Sequence, residues 1–488
     1  MLNAYLRENG IHDVGAGTLE LTMPTTGRTV RLSVTHASPT GHHDYAAVPH
    51  NAVRTVLDEL EARTGFRGAR VLEAQIAGSA ENTARFLAAR GRSAQDRPQR
   101  DGDPARAAEQ NVLFGHPFHP TPKSSEGFSA RDLRDFAPEL GAEFSLEYVA
   151  LARELVHDEG RLPVPEYVTA ATPAGFAPIP VHPWQYRHLM RNPAVRKLVD
   201  EGAIVSLGRL GPPVYPTSSV RTVCDPAAGS SWKLPLHVRI TNFVRNTPWE
   251  HLRRAADAMR IVAALPTYDG FGVVAENGFR TLAPGAAGHG LACELNALHR
   301  SSDPEALVLA GLLDDPARFA ARIADPAEWL ARYVTLAQRP LLTAFTDHGV
   351  AFEAHVQNSL VCLDDDGMPT RFLVRDMEGV AIDRARHPGL PPESPAMYHH
   401  DEAWQRLVYH AVTNQLGHVI HTLGTSARAS ERALWTVARE TMRPWPEAES
   451  LLTAPTLPAK ANLLSRFVQR GERPYFVEIP NPLREDAS

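Results

Sequence analysis

The chain has 488 residues, of which 43% are hydrophobic and 22% are charged. This length predicts two to four domains, and the composition is typical of a soluble globular enzyme. A formal net charge of −6 argues against nucleic acid or an anionic membrane as a partner. Three widely spaced cysteines predict neither a disulfide framework nor a zinc site. No signal-like N-terminus or membrane-length apolar run is present, which predicts a cytoplasmic protein.

The first part of the chain combines a hairpin with helices. Apolar residues alternate over 18–35 around a Thr-Gly turn, which predicts a β-hairpin. Residues 50–64 and 79–90 have helical patterns. The polar stretch 89–110 is interpreted as a solvated loop or linker, with a mobile flap beside a site as the alternative.

The later part also mixes both types of element. Residues 301–346 and 402–445 are helical in pattern, and residues 350–380 predict a hairpin. The proline-rich C-terminal tail is expected to pack as irregular chain. Hairpins and helical blocks in this arrangement indicate an α+β class with antiparallel sheets. We expect three domains, at residues 1–108, 109–300 and 301–488.

A histidine–proline segment at residues 115–123 is the most distinctive stretch. His116 and His119 each precede a proline, and Lys123 follows. Proline fixes its own φ and restricts the residue before it, so the imidazoles are expected to be held in place. Such a segment predicts polar groups converging on a ligand. A metal site is the less favoured interpretation, because no carboxylate or cysteine lies nearby in the sequence.

Residues 233–245 have a strand-like alternation. Leu234, Leu236, Val238 and Ile240 fall on one face, and the opposite face is cationic and hydroxyl-bearing. The residues of that second face are Lys233, His237, Arg239, Thr241 and Arg245. A straight strand of this length would span roughly 40 Å, so Lys233 and Arg245 can share a small ligand only if the chain bends. Thr247 is expected to cap a helix that begins at Pro248.

Anion binding is the chemistry that these cations favour. Together with Arg221, the cations of this strand gather positive charge in an otherwise acidic chain. Such a set suits phosphates or a polycarboxylate.

The hairpin at 350–380 carries a second polar set. Two registers are open: a turn at Asp365-Asp366 pairs His355 with Asp376, and a turn at Asp366-Gly367 pairs His355 with Glu378. Both place five polar residues on one sheet face, namely Glu353, His355, Gln357, Asp376 and Glu378. Carboxylates such as Glu353 and Asp376 are hard oxygen ligands for Mg²⁺ beside phosphates. No P-loop, dinucleotide-binding or serine-hydrolase motif is present.

Taken in order, these segments resemble the IucA/IucC family, the NRPS-independent siderophore synthetases. Seven short motifs carry the resemblance over roughly residues 109–380. They are His116–Lys123, Val181–Gln185, Ser219–Thr222, Lys233–Leu236, Arg239–Arg245, Glu353–Asn358 and Arg375–Gly379.

The resemblance implies a fold likened to a cupped hand, with thumb, fingers and palm, and a homodimer by analogy. It also implies a reaction in which Mg-ATP adenylates a carboxylate of citrate or a related acid, and an amine or hydroxylamine displaces AMP. The residues implied to contact ATP are Ser219, Arg221, Thr222, Lys233, Arg245, His355 and Asp376, with Arg245, His355 and Lys233 catalytic. The residues implied for the carboxylic acid are His116, His119, Lys123, Arg239, Thr241, Gln357 and Asn358. Glu353 and Asp376 are the expected Mg²⁺ ligands.

Two other classes of protein remain open from the sequence. A kinase-like phosphotransferase is the main alternative, because His355–Asn358 and Asp376–Gly379 faintly resemble a kinase catalytic loop and metal-binding motif. The spacing is compressed, and the glycine-rich loop is missing. A non-catalytic anion-binding protein is the third possibility, and the presence of Lys233, Arg245, His355 and Asp376 argues against it.

Overall fold

The computed structural model describes residues 1–93, 103–283, 285, 289–426, 429–471 and 473–485. Its N-terminal part is a three-stranded antiparallel sheet covered by helices. These elements are α1 (Leu2–Glu8), β1 (Gly17–Thr22), β2 (Thr29–His36), β3 (Asp44–Ala47), α2 (Ala52–Thr64) and α3 (Ala69–Ser93). The predicted hairpin is confirmed, since β1 pairs with β2 from Gly17–Val34 to Thr22–Thr29. Helix α2 ends where Gly65 takes a left-handed φ of 72°, a conformation that glycine adopts without strain.

The predicted linker at 89–110 is wrong in part. Helix α3 continues to Ser93, and a further helix, α4 (Pro104–Gln110), is capped by the Asp103 side chain. Glu109 of α4 is buried in an ion pair with Arg375, so this end of the stretch is packed and not solvated. The interpretation of residues 94–102 as a loop lies outside the described residues.

An eight-stranded antiparallel sheet forms the central part of the molecule. Its strand order is β5-β13-β14-β9-β8-β7-β4-β6. The strands are β4 (Phe144–Ala152), β5 (Val156–Gly160), β6 (Phe176–Val181), β7 (Ile204–Pro216), β8 (Thr222–Asp225), β9 (Ser230–Lys233), β13 (Glu276–Leu282) and β14 (Asn296–Ser301). The helices around it are α5 (Ala130–Phe136), α6 (Glu166–Ala171), α7 (Pro183–Leu189), α8 (Pro193–Asp200), α9 (Trp249–Val262) and α10 (His289–Ala292). This mixture of antiparallel sheet and helices confirms the α+β class.

The expected continuous strand at 233–245 is wrong, because the chain bends twice. Strand β9 ends at Lys233, and residues 236–245 form a separate hairpin of β10 (Leu236–Ile240) and β11 (Phe243–Arg245). Leu234, Leu236 and Val238 are buried, as the alternation predicts, whereas Ile240 is only partly buried. The helix that follows begins at Trp249, and Thr247 does not cap it. The Thr247 hydroxyl instead accepts a hydrogen bond from Arg221 at 3.2 Å.

The largest core lies in the C-terminal half. Its longest helix, α13 (Pro326–His348), begins after Asp325, whose side chain accepts bonds from the Ala327 and Glu328 N–H groups. The other helices are α11 (Leu309–Leu313), α12 (Pro316–Ala320), α14 (His400–Leu407), α15 (Gly417–Ser426), α16 (Glu431–Met442), α17 (Glu449–Thr453) and α18 (Asn462–Phe467), with a π-helical stretch at Val408–Leu416. The strands are β12 (Phe271–Val273), β15 (Leu307–Val308), β16 (Val350–Ala351), β17 (Ser359–Leu363), β18 (Pro369–Val374), β19 (Ala381–Asp383), β20 (Met397–Tyr398), β21 (Thr456–Lys460) and β22 (Phe476–Pro480).

Two expectations for this half need correction. The C-terminal tail is not irregular: β21 pairs with β22, and α18 contributes Phe467 to the N-terminal core. The hairpin of β17 and β18 exists in the register set by Asp366-Gly367, with Ser359 opposite Val374. It is shorter than expected, so Glu353, His355 and Gln357 precede its first strand. No helix in the described parts of the chain is long and apolar enough to cross a membrane.

Candidate active site

A cavity of about 1260 Å³ lies where the β10–β11 hairpin, the 376–379 turn and the C-terminal segments meet. Nine lysines and arginines line it against five carboxylates, although the whole chain is acidic. The cations are Arg221, Arg239, Arg245, Arg254, Arg384, Arg406, Lys460, Arg466 and Arg473. The carboxylates are Glu126, Glu353, Asp376, Glu378 and Glu402. Positive charge gathered in a cleft raises the local concentration of anions, so the cavity is suited to a polyanionic ligand.

Arg245 lies at the end of β11 and faces this cavity. Its Nη2 donates to the Ile240 carbonyl at 2.9 Å and to the Thr241 hydroxyl at 2.7 Å. Burial, together with the nearby charge of Arg221, lowers the pKa of Arg245 to about 10, so the side chain stays cationic at neutral pH. Arg245 is therefore held by neutral groups and keeps its charge for a ligand.

Asp376 and Glu378 form an acid pair in the wall of the cavity, and buried cations neutralise this pair. Lys233 Nζ lies 2.5 Å from Asp376 Oδ1 and 2.7 Å from Glu378 Oε2. Arg300 lies 3.2 Å from the same Asp376 oxygen, and His251 Nδ1 lies 2.8 Å from Glu378 Oε1. Burial alone would raise both carboxyl pKa values, but the neighbouring cations, with Lys233 first, hold the pKa of Asp376 and that of Glu378 well below the usual range. Both carboxylates are thus ionised.

Backbone strain concentrates around the same cavity. Among the described residues, left-handed φ values outside glycine occur at Val220 (66°), Thr241 (58°), Asp376 (77°) and Gln469 (56°). Asp376 and Gln469 line the cavity, and Val220 and Thr241 directly precede two lining residues, Arg221 and Asn242. A β-branched residue in this region costs of order 1–3 kcal/mol, and such strain clusters at ligand sites. The backbone here is held in place by its surroundings, as a binding site requires.

Glu353 approaches the 376–379 turn closely because residue 379 is a glycine. A Cβ at position 379 would lie 1.9 Å from Glu353 Oε2. The other oxygen, Oε1, lies 3.2 Å from His410 Nε2 and 4.0 Å from Lys460 Nζ. Glu353, Asp376 and Glu378 therefore present hard oxygen atoms to one cavity, which is the donor chemistry that Mg²⁺ prefers. Since Mg²⁺ usually takes one or two carboxylates and completes its shell with water and phosphate, Glu353 and Asp376 fit such an ion.

The remaining residues of the 353–358 segment have internal contacts. His355 Nδ1 accepts a bond from the Gln357 N–H at 3.2 Å, and burial lowers the pKa of His355. The Gln357 carbonyl accepts from Arg375, and its side chain lies 3.4 Å from the Ser218 hydroxyl. Asn358 Nδ2 donates to the Glu353 carbonyl at 3.2 Å. The prediction of one shared strand face is wrong here, since these residues form a turn, yet that turn places Glu353 at the cavity.

The two histidines of the 115–123 segment stabilise its turns. His116 Nδ1 accepts the Phe118 N–H, and His119 Nδ1 accepts the Thr121 N–H, each at 3.1 Å. His119 Nε2 lies 2.8 Å from Asn242 Oδ1, in the turn of the β10–β11 hairpin. Burial lowers the pKa of His119 to about 4, so the ring is neutral at physiological pH. Neither histidine lines the cavity.

The Lys123 side chain also contacts a residue inside the protein. Its Nζ lies 2.7 Å from Glu139 Oε1, and both side chains are buried. The segment that follows supports the hairpin, because the Ser124 hydroxyl accepts the Thr241 N–H and Glu126 bonds the backbone of Arg239. The 115–126 segment thus braces the hairpin that carries Arg245.

Ser219 and Thr222 form the loop that presents Arg221. The Ser219 hydroxyl accepts the Thr222 N–H at 3.1 Å, and Thr222 pairs with Lys233 across β8 and β9. Of the predicted site residues, the structure brings Arg221, Arg239, Arg245, Glu353 and Asp376 together at the cavity wall. Those outside the wall are Ser219, Thr222, Lys233, Thr241, His116, His119, Lys123, His355, Gln357 and Asn358.

The sequence reasoning missed the contribution of the C-terminal segments. Arg406, Lys460 and Arg466 line the cavity from α14, β21 and α18. Burial lowers the pKa of Lys460 to about 8, an effect that the charge of Glu353 partly offsets. These residues are isolated cations in the sequence, so no local pattern marked them. Their role depends on how the tail folds back over the cavity.

Comparison with protein families agrees with the motifs. Residues 104–314 match the IucA / IucC family model. Residues 327–474 match the model described as ferric iron reductase FhuF-like transporter.

Individual relatives extend the match over most of the chain. The L-2,3-diaminopropanoate–citrate ligase of Staphylococcus aureus is 35% identical, over 77% of this chain and 74% of that protein. The rhizobactin siderophore biosynthesis protein RhbC of Rhizobium meliloti is 29% identical, over 95% and 92%. The solved structure of ATP-bound aerobactin synthetase IucA from Klebsiella pneumoniae superposes with a TM-score of 0.82 at 22% identity, covering 99% of this chain and 98% of that one. By the match to the citrate ligase and to the family model, the chain belongs to the IucA/IucC family of siderophore synthetases.

Proposed function

We propose that this protein is an ATP-dependent ligase that adenylates a carboxylate of citrate, or of a related acid, and joins it to an amine or hydroxylamine. The observation that carries the proposal is the cavity, in which nine cationic side chains face five carboxylates within an acidic chain. A triphosphate and a tricarboxylate bound together need this excess of positive charge. Relatives named as citrate ligases and siderophore synthetases support the same class of substrate.

Two bond changes make up the proposed reaction. A carboxylate oxygen of the acid attacks the α-phosphorus of ATP, and the bond to pyrophosphate breaks. The amine nitrogen then attacks the acyl carbon, AMP leaves with the electron pair of the broken C–O bond, and the nitrogen loses a proton. Charge develops on the α-phosphate in the first step, so prearranged cations are the main catalytic requirement.

Arg245 is proposed to stabilise that charge. It faces the cavity, and its bonds to Thr241 and to the Ile240 carbonyl fix its orientation. Arg221 lies beside it and is proposed to bind phosphate oxygens. Ser219 and Thr222 would act by holding the loop that carries Arg221.

Two of the carboxylates at the cavity have a separate proposed role. Glu353 and Asp376 would hold Mg²⁺, which would supply positive charge against the phosphates of a bound nucleotide. Lys233 lies against Asp376 and Glu378, and its predicted contact with ATP stays a prediction. His355 is proposed to assist at the nucleotide site from the turn that carries Glu353.

The carboxylic acid is proposed to bind near the β10–β11 hairpin. Arg239 lines the cavity there, and Thr241 and Asn242 form the turn beside it. The roles predicted for Gln357 and Asn358 stay predictions. His116, His119 and Lys123 would contribute by bracing the hairpin.

Product analysis tests the proposal. The purified protein is given ATP, Mg²⁺, citrate and hydroxylamine, and the nucleotide products are separated. We expect AMP and pyrophosphate in equal amounts, formed only when a carboxylic acid is present. ADP as the product would establish a phosphotransferase instead, and no turnover with any of several carboxylic acids would indicate a binding protein.

A further inference from the structure

A group of histidines joins the N-terminal sheet to the C-terminal helices, away from the residues that line the cavity. His36 is the last residue of β2, His421 lies in α15, and Glu431 is the first residue of α16. His36 Nε2 lies 2.5 Å and His421 Nδ1 lies 2.9 Å from the same carboxylate oxygen, Glu431 Oε1. Two imidazole nitrogens and one carboxylate oxygen thus converge on one point.

We propose that His36, His421 and Glu431 bind one divalent transition-metal ion, with Zn²⁺ the best match. Two imidazoles and a carboxylate form a set that first-row transition metals prefer, whereas Mg²⁺ and Ca²⁺ prefer oxygen alone. The cysteine count argued against a zinc site in the sequence, but this set uses no cysteine. His36 and Glu431 are nearly 400 residues apart, so only the fold reveals it.

The surroundings support the three ligands in the way a metal site requires. The Ser38 hydroxyl donates to the second oxygen of Glu431 at 2.8 Å. Asp44 Oδ1 lies 3.9 Å from His421 Nε2, the ring nitrogen that the metal would not use. A carboxylate on that side suits a ring that ligates through its other nitrogen. The ring of His42 stacks on His421 with centroids 5.2 Å apart, which further limits its rotation.

Only small movements of the three side chains would be needed to accommodate a metal ion. Zinc lies about 2.0–2.2 Å from nitrogen and oxygen ligands, so tetrahedral neighbours stand about 3.3–3.6 Å apart. The nitrogen–oxygen distances of 2.5 and 2.9 Å would therefore lengthen by about 0.4–1.1 Å. Each ligating nitrogen would pass its proton to the other nitrogen of its ring, which in His421 lies 3.9 Å from Asp44 Oδ1.

An ion can reach the group from solvent. The His36 side chain is 29% exposed and that of His421 is 14% exposed, while Glu431 is buried at 4%. A metal held here would tie β2 to α15 and α16. Because an ion that binds only the folded chain stabilises it by mass action, the expected role is structural.

A second histidine–carboxylate group provides a matched comparison. His188 Nε2 lies 3.2 Å from Glu294 Oε2, and His237 Nδ1 lies 2.9 Å from the other oxygen, Oε1. The two imidazoles therefore contact different oxygens, and Asn246 Nδ2 already lies 3.3 Å from both His237 Nδ1 and Glu294 Oε1. An ion would have to displace the amide, so we do not assign a site there.

The test is a Zn²⁺ titration by calorimetry of the full chain, tag-free and stripped with EDTA, in a buffer with excess Mg²⁺. We expect one Zn²⁺ per chain and a rise of several degrees in the unfolding midpoint. His36→Gln, at the most exposed ligand, and His421→Gln should each weaken binding at least about tenfold and abolish the thermal shift. His188→Gln is the control and should bind as the wild type does.

Three results would overturn the proposal. They are no Zn²⁺ binding by the wild type, equal binding by His36→Gln and wild type, and a loss of binding confined to His188→Gln. If one of the two ligand variants fails to fold, the other still tests the site, because the two histidines lie on separate elements. Co²⁺ added in place of Zn²⁺ should give a visible absorption band in the wild type that is absent from the His36→Gln protein.

Discussion

The 115–123 segment and the β10–β11 hairpin are both rich in polar residues, yet their side chains do different work. In the segment, His116 and His119 stabilise turns, and Lys123 forms an ion pair with a buried carboxylate. In the hairpin, Arg245 is held by neutral oxygens and faces the cavity. A charged group suits a ligand site when neutral hydrogen bonds orient it toward a cavity. The segment instead supports the hairpin, because His119 contacts Asn242, and Ser124, directly after the segment, accepts the Thr241 N–H.

Arg245→Ala should have the largest effect on activity. Loss of a prearranged cation at the reacting phosphate should lower the adenylation rate at least about 1000-fold, equivalent to about 4 kcal/mol. Arg245→Lys keeps the positive charge but lacks the planar set of guanidinium donors. Its adenylation rate should therefore lie between those of the wild type and Arg245→Ala. The rates come from pyrophosphate release, and circular dichroism checks the fold. Retention of more than a tenth of the wild-type rate by a folded Arg245→Ala protein would show that the hairpin does not carry the site.

Lys123→Met should reduce stability and spare activity. It leaves Glu139 buried without its partner, and breaking such a pair costs about 3 kcal/mol of the free energy of unfolding. Urea unfolding measures this loss, and Lys123→Met/Glu139→Leu should recover much of it. The activity per folded molecule should stay within about threefold of wild type, since the side chain is absent from the cavity wall. A stable Lys123→Met protein with a greatly raised KM for the acid would instead place Lys123 at the substrate.

Gly379→Ala should raise the Mg²⁺ concentration that activity requires. The new Cβ would lie 1.9 Å from Glu353 Oε2, so the carboxylate must move. We expect the Mg²⁺ concentration for half-maximal activity to rise about tenfold. Gly389→Ala is a matched control, because nothing lies within 4 Å of its Cβ position. An unchanged Mg²⁺ dependence in Gly379→Ala would remove Glu353 from the proposed ion site.

The smallest expected effect is on the pH dependence of the free energy of unfolding. Burial, with a smaller contribution from Arg187, lowers the pKa of His182 to about 3. Unfolded histidine has a pKa of about 6.5, so below that pH the unfolded chain takes up a proton that the folded chain refuses. Stability is therefore complete above pH 6.5 and declines as the pH falls toward 3.

His182→Asn isolates this effect. His182 Nδ1 accepts the Trp184 N–H at 3.1 Å, and an asparagine oxygen can replace that acceptor at a helix N-terminus. Between pH 7.5 and 5.5 the variant should lose about 1.4 kcal/mol less free energy of unfolding than the wild type. Urea unfolding at the two pH values measures the difference. Equal losses in both proteins would mean that His182 takes up a proton in the folded state.

The sequence predicted more of the fold than of the site. The hairpin of β1 and β2 follows from local alternation, and the register of β17 and β18 is one of the two that the Asp-Gly segment left open, so both rest on short-range signals. Arg221, Arg245 and Asp376 were predicted as site residues, and all three line the cavity. The segment's internal contacts could not be predicted, because Glu139 and Asn414 are recognised as partners of Lys123 and His116 only in the fold. Lys460 was missed for the same reason.

The most direct test of the account is citrate-dependent exchange of labelled pyrophosphate into ATP, measured without any amine. Exchange requires reversible adenylation in the cavity, so no later step contributes. We predict exchange by the wild type and by Lys123→Met, each dependent on citrate or a related acid and on Mg²⁺, and none above background by Arg245→Ala. Equal exchange by Arg245→Ala, or none by a folded wild-type protein with any of several carboxylic acids, would contradict the assignment of this cavity as the adenylation site.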